Sequence, residues 1–203
     1  MANLLDKLSD AINKGTAGQE VKKSAKWFHN YLIKGLKGEM KNKFEKTNAM
    51  KFYRETDSSK KVPSTRFQKR ASLGDLFCYH YEPKYKGTLP YYDRFPLIML
   101  IDAGGQGGYA DTFLGINFHY VRPVHRAVLL DKINNKVGKG NDTINWKKIA
   151  NIPRISPCVK RYRFDHIDRK VISIEPEDQE IVIFLPLERF KKASKASVWG
   201  RSK

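Results

Sequence analysis

Phe113-Leu114-Gly115-Ile116-Asn117-Phe118-His119-Tyr120 decides the fold class. Apolar residues alternate with others along it, the period of a strand, so it reads as a strand with one face inward. Upstream, Leu73-Gly74-Asp75-Leu76-Phe77-Cys78-Tyr79-His80-Tyr81 is aromatic and β-prone, and Leu97 to Ile101 is a second strand. Gly104-Gly105-Gln106-Gly107-Gly108 reads as a flexible loop between strands. Downstream, Pro123 suits the first helical position and Val124 to Ile133 reads as a helix. Residues 143–150 suggest another short helix. Val171 to Ile174 and Glu180 to Leu185 read as strands, paired as a hairpin through Pro176-Glu177-Asp178-Gln179. Residues 187–199 read as a closing basic helix.

Ahead of this region the pattern is helical. Leu4, Leu5, Leu8 and Ile12 recur near helical spacing, and Gly15 and Gly18 follow as stop signals. Over residues 19–36 a stripe of Val21, Ala25, Phe28, Leu32 and Leu36 leaves Lys22, Lys23, Lys26 and Lys34 off it. Residues 39–54 continue in that style, with Met40, Phe44 and Met50 among Lys41, Lys43, Lys46 and Lys51. The polar, turn-rich run from Glu55 to Ser64 is the linker candidate. Runs of like elements argue for α+β and against a doubly wound sheet. The expected architecture is a small, partly rolled antiparallel sheet with a helical insert, preceded by a basic helical arm. Residues 1–64 form the arm and linker, and residues 65–203 the α+β core with a basic tail.

Charge dominates the composition. Lys and Arg number 39 against 21 Asp and Glu, a formal net charge of +18 over 203 residues. Such an excess concerns partners and solubility more than fold. Nucleic acid, anionic membrane and acidic protein surfaces are the usual partners. The excess is uneven: residues 1–70 carry 17 Lys/Arg and 7 Asp/Glu, residues 71–140 carry 8 and 6, and residues 141–203 carry 14 and 8. A nearly neutral middle with basic ends is the pattern of a folded core bearing contact arms, although a merely solubilising surface has the same composition. A membrane role is disfavoured, because the longest apolar run, Phe95 to Ile101, is strand-sized and the stripe of the basic helix is modest. The N-terminus lacks the apolar region of a signal peptide, so a cytosolic site of synthesis is expected. Cys78 and Cys158 fall in apolar surroundings and read as free core thiols.

Patterns for chemistry are weak. The glycine loop is not followed by Lys-Ser/Thr, and Ala110 stands where GxGxxG needs its last glycine. His29, His80, His119, His125 and His166 show no metal-ligand spacing. Asp165, Asp168 and Lys170 are the nearest approach to a metal-dependent nuclease site, and short acidic-basic runs of that kind are common on solvated turns. The expectation is therefore no enzyme, no metal, no cofactor and no small-molecule substrate.

Two segments are better candidates for contact. Between Pro83 and Pro96 lies a proline-bracketed loop whose Tyr85, Tyr91 and Tyr92 stand beside Lys84, Lys86 and Arg94. Pro90, Tyr91, Tyr92, Asp93 and Arg94 read as its structural part, while Lys84 and Lys86 are open to phosphate. In the tail, Phe190, Ala193 and Val198 can anchor a segment whose Arg189, Lys191, Lys192 and Lys195 face outward. Phosphate contact and solvation both fit that tail. With the arm, the candidate nucleic-acid contacts are Lys22, Lys23, Lys26, Lys34, Lys41, Lys43, Lys84, Lys86, Arg189, Lys191, Lys192 and Lys195. No recognition motif appears, so base specificity is not expected.

Gly74-Asp75-Leu76-Phe77, Leu89-Pro90-Tyr91-Tyr92-Asp93-Arg94-Phe95-Pro96-Leu97, Phe113 to Tyr120, Phe190-Lys191-Lys192-Ala193 and Val198-Trp199 form a set. The set resembles the DNA end protectors of contractile-tailed bacteriophages, which are minor virion proteins. It covers about residues 73–133 and the last fifteen, and says little about residues 1–70. The resemblance implies a virion protein, made in the host cytoplasm, that caps the ends of the packaged genome against host exonuclease by occlusion. Its partners would be DNA ends, or other polyanion, and other virion proteins. The chain is short for that family, which puts any additional nuclease-inhibiting surface in doubt. The alternative is a baseplate or tail hub protein of the same phages, with basic arms packed against acidic subunits.

Overall fold

A computed structural model describes residues 3–37, 71–104, 111–137, 144–186 and 190–191. Helix α1 spans Leu4–Asn13 and α2 spans Ala17–Trp27. The chain continues without a break through a π-helical stretch, Phe28–Ile33, into α3, Lys34–Lys37. The strands are β1 (Leu76–Tyr81), β2 (Tyr92–Asp93), β3 (Leu97–Asp102) and β4 (Thr112–Asn117). Helices α4 (Pro123–Val137) and α5 (Trp146–Ala150) follow, then β5 (Val159–Arg163), β6 (Ile167–Ile174), α6 (Gln179–Ile183) and β7 (Phe190–Lys191). Five strands form one sheet in the order β5-β4-β3-β1-β6, every pairing antiparallel, and β2 pairs with β7 in a separate ribbon. The fold is α+β, with α4 and α5 inserted between β4 and β5.

Alternation along the strands sorts side chains onto two faces. Leu76, Cys78, Leu97, Met99, Ile101, Ile116, Ile172 and Ile174 pack with the helices, joined by Leu4, Leu8, Phe28, Leu32, Ile33, Leu130, Val182 and Ile183. On the opposite face Phe77, Tyr79, Tyr81, Phe113, Tyr162 and Phe164 form an aromatic cluster with Ile98, Leu100, Ile167 and Val171. Tyr79 meets Tyr162 edge-on at 5.6 Å and Phe113 meets Phe164 tilted at 4.9 Å between centroids, while Phe113 stacks on Tyr162 at 5.4 Å. The alternation in β4 implied one inward face, and both are buried. Gly115 and Asn117 keep the second face closely packed, one by lacking a side chain and the other by making hydrogen bonds.

Gly115 shows how tight that packing is. A Cβ built there would lie 2.9 Å from Ile98 Cδ1 and 3.0 Å from Ile98 Cβ. The second atom sits beside the β3 backbone and cannot swing away. Gly115→Ala is expected to cost about 1–3 kcal/mol of stability, the range for overpacking a dense core. Urea denaturation measures it, and Ile98→Ala in the same chain should relieve part of the loss, so that the two changes are not additive.

The first helices belong to this core. Asp131 on α4 accepts hydrogen bonds from the Leu4 and Leu5 amides at 2.7 and 3.0 Å, and so caps α1 from a distant helix. Ser24 of α2 donates to the Ile181 carbonyl at 2.8 Å. Lys7 pairs with Glu180. Thus residues 4–37 form a layer on the sheet, which is where the modest stripe of the basic helix finds its partner. The boundary expected near residues 64 and 65 lies outside the described residues.

The structure departs from the sequence expectations at four places. Glu180–Leu185 is not a strand in a hairpin. Pro176–Asp178 makes a 3₁₀ turn that leads into helix α6, and β6 pairs instead with β1. A run such as Ile181-Val182-Ile183-Phe184-Leu185 has no period that separates helix from strand. Phe190–Lys191 is a strand paired with Tyr92–Asp93, not part of a closing helix; the remainder of 187–199 lies outside the described residues. Strand β5 went unanticipated because Lys160, Arg161 and Arg163 dilute its apolar signal, as suits an edge strand that resists further pairing. In α1 the buried stripe is Leu4, Leu8 and Ala11, while Ile12 is 57% exposed.

A candidate nucleic-acid interface

The cations anticipated on α2 lie on its outer side. Lys22, Lys23 and Lys26 are exposed, opposite the buried Ser24. Lys23 stands 3.4 Å from Glu20, one turn away on the same helix. Lys34 is half-buried in α3. Lys191 contributes its backbone to β7. Lys41, Lys43, Arg189, Lys192 and Lys195 lie outside the described residues.

The proline-bracketed loop is organised around Glu82. Its carboxylate meets Lys86 at 3.0 Å and Arg94 at 3.2 Å, with His80 at 3.7 Å. Burial alone would raise the Glu82 carboxyl, but the hydrogen bond and charge of Lys86, with Arg94 and His80, hold it below its ordinary value. Lys86 is thus engaged within the loop, whereas exposed Lys84 lies over the Tyr85 ring at 5.3 Å. Pro90 is exposed. Tyr91 packs on Tyr120 with ring centroids 6.1 Å apart. Tyr92 is buried and pairs with Lys191 along the ribbon.

Asp93 ends in a buried polar cluster. Its Oδ2 lies 2.5 Å from His119 Nδ1 and accepts from Asn117 Nδ2 at 3.1 Å, while its Oδ1 accepts from the Phe95 amide at 3.0 Å. Asn117 also reaches the Tyr162 hydroxyl at 3.1 Å and accepts from the His119 amide at 2.9 Å. The pairing follows from the topology: β4 delivers Asn117 and His119 beside β2. A buried Asp–His pair has the composition of an acid–base dyad. Here the His119 ring meets Phe28 edge-on at 4.9 Å, and the adjoining cavity, between His29, Phe95 and Pro186, is about 40 Å³. That is room for a water molecule or two and not for a nucleotide. The cluster ties the ribbon and the π-helical stretch to the end of β4.

Of the three residues nearest to a nuclease pattern, Asp165 alone has a described side chain. Asp165 is held by Arg163 in a two-point ion pair at 2.9 and 2.8 Å. The side chains of Asp168 and Lys170 are outside the description. Among the described residues, no group of three or more His, Cys, Asp or Glu could hold a metal ion. Both cysteines are buried and free; burial pushes the Cys158 thiol up to about 11 and Cys78 well above its ordinary value. No helix among the described residues is long and apolar enough to cross a membrane.

The fold gathers further cations that no run of sequence announced. At the start of α4, burial and the neighbouring charges of Arg154 and Arg122 hold the His125 imidazole below its ordinary value. Lys160 of β5 lies over Tyr120, 4.8 Å from the ring centroid. Lys147 and Arg161 stand exposed where α5 faces the end of the sheet. These residues are scattered between positions 122 and 161, so only chain folding brings Arg122 and Arg154 near His125, and Lys147 and Arg161 to one pocket.

Fold and composition together define a small basic α+β protein with exposed lysines and arginines among its described residues. The chain belongs to the Phage T4 terminal DNA protecting protein family, whose model matches residues 41–202, about four-fifths of its length. It is therefore a DNA end-protecting protein of phage. No curated protein and no solved structure matches it. Helices α1 to α3 precede the matched region, yet they fill one side of its core.

Proposed function

We propose that this protein works without catalysis, as a virion protein that binds the ends of the packaged genome and shields them from host exonuclease by occlusion. Family membership carries this reading, and the net charge of +18 supports it. Exposed Lys22, Lys23 and Lys26, with Arg122 and Arg154 near the start of α4, supply the phosphate contacts along the duplex; the basic tail adds more. Its partners are DNA ends and other virion proteins. Phosphate contact of this kind is sequence-blind and positions the protein without reading bases.

Counterion release sets the expected signature. Log affinity falls with log salt by about 0.9 per phosphate contact, so roughly five to eight contacts give a slope of about −5 to −7 on duplex DNA. The deciding experiment digests linear duplex DNA with a processive exonuclease, with and without the protein, beside affinity for linear and closed-circular forms. Protection together with preference for linear DNA is expected. Protection without that preference would reduce the role to coating. No binding near physiological salt would overturn the proposal.

A further inference from the structure

A groove at one end of the sheet has a composition that the lysine-rich surface lacks. It lies among the ends of β3 and β4, helix α5 and the stretch preceding β1, with a volume of about 870 Å³. Trp146, Leu73 and Phe113 line it, with Lys147 of α5 and Arg161 of β5 beside them. Trp146 is held from behind. A Cβ on Gly74 would stand 3.0 Å from its ring, and Gly74 adopts φ +100°, a conformation that side-chain-bearing residues rarely take. Arg161 is steadied by Thr112, whose hydroxyl accepts from Nη1 at 3.2 Å. One carboxylate, Asp102, also lines the groove, and its Oδ1 accepts from the Gly104 amide at 2.8 Å. Among the described residues, the groove is thus an apolar, aromatic basin with two cations and one backbone-bonded carboxylate.

We propose that this groove receives the terminal nucleotide of a DNA strand, an inference that rests on the reading of the protein as a DNA end protector. A nucleotide matches the groove chemically: its base is an apolar π surface that can lie on Trp146 and Leu73, and its phosphates are anions for Lys147 and Arg161. The volume falls in the range of small-ligand pockets and is far too small for a duplex. A base within a duplex reaches such a recess only by leaving its stack with strand attached on both sides. A terminal base is stacked on one side only and opens at least cost. The groove therefore favours ends, whereas the lysines of α2 serve any stretch of backbone equally.

The test uses the full chain and a duplex of one sequence in linear and closed-circular form. Lys147→Glu with Arg161→Glu reverses the two cations and leaves Trp146 packed, and thermal melting checks that the fold is kept. The wild type is expected to prefer linear DNA, and the double variant to lose about tenfold in affinity for ends while binding the circle within about threefold of wild type. A 2-aminopurine at the terminal position should change fluorescence on wild-type binding, and one placed mid-duplex should not. An undiminished end preference in the variant, or an equal loss for linear and circular DNA, overturns the groove. A wild type that binds both forms equally overturns it too, while leaving DNA binding intact. A wild type that binds neither overturns the function on which it rests.

Discussion

Arg126→Met is expected to lower folding stability by about 3–5 kcal/mol. Arg126 is fully buried in α4. Its Nε donates to the Phe118 carbonyl at 2.8 Å, and its Nη1 to the carbonyls of Ile183 at 3.0 Å and Leu185 at 2.6 Å. The last two lie just beyond and within the final turn of α6, where carbonyls have no partner inside the helix and carry partial negative charge. One guanidinium therefore joins three segments: the turn after β4, α4 and the end of α6. Burial opposes its charge and pulls it down from the ordinary value to about 9, and the carbonyls hold the charge in place. Methionine fills similar space but strands three buried acceptors, each worth about 1–3 kcal/mol, and recovers part of that by removing a buried charge. For a chain this long the melting temperature should fall by roughly 6–20 °C. Arg126→Lys should fall between, because one ammonium cannot reach all three carbonyls in a fixed fork. Calorimetry decides it; a methionine variant within about 1 kcal/mol of wild type would mean that the carbonyls find other donors.

Lys22→Glu, Lys23→Glu and Lys26→Glu together should weaken duplex binding on the order of 100-fold near physiological salt, if each lysine meets one phosphate. The salt slope should become shallower by about 3, since each lost contact removes roughly 0.9. Stability should hardly move, because all three side chains are exposed and, among the described residues, only Lys23 has a helical neighbour of opposite charge, at 3.4 Å. Fluorescence anisotropy over a salt series, beside a melting curve, separates the two readouts. Unchanged affinity with an unchanged slope would place the contact surface on Arg122 and Arg154 near the start of α4 or on the tail.

Much of the fold is legible in the sequence. The alternation over Phe113–Tyr120, the helix opening at Pro123 and the two N-terminal helices each carry their own periodic signal, and each forms within a residue or a few of its reading. The misreadings fall where that signal is missing. Residues 180–185 are apolar throughout and fit helix or strand, and Pro176 with the acidic turn before them decides for helix. Strand β5 carries three cations in five residues and looks like a solvated run until β4 offers it a ladder. The candidate site divides in the same way. The lysines of α2 were legible as the residues left off an apolar stripe. The groove was not, because Leu73, Trp146 and Arg161 share no local pattern.

Composition and local periodicity alone determined that this chain is a strongly basic α+β protein with helices ahead of a sheet, because charge adds without regard to position and each helix or strand declares its period within a few residues. Only the tertiary structure decided that residues 4–37 form a layer of the core, that Asp93 meets His119 across 26 positions, that Arg126 holds the end of α6, and that a tryptophan and two cations face one groove. Those pairings depend on strand order and on which face each residue takes, and both are settled when apolar surface from distant segments is buried together.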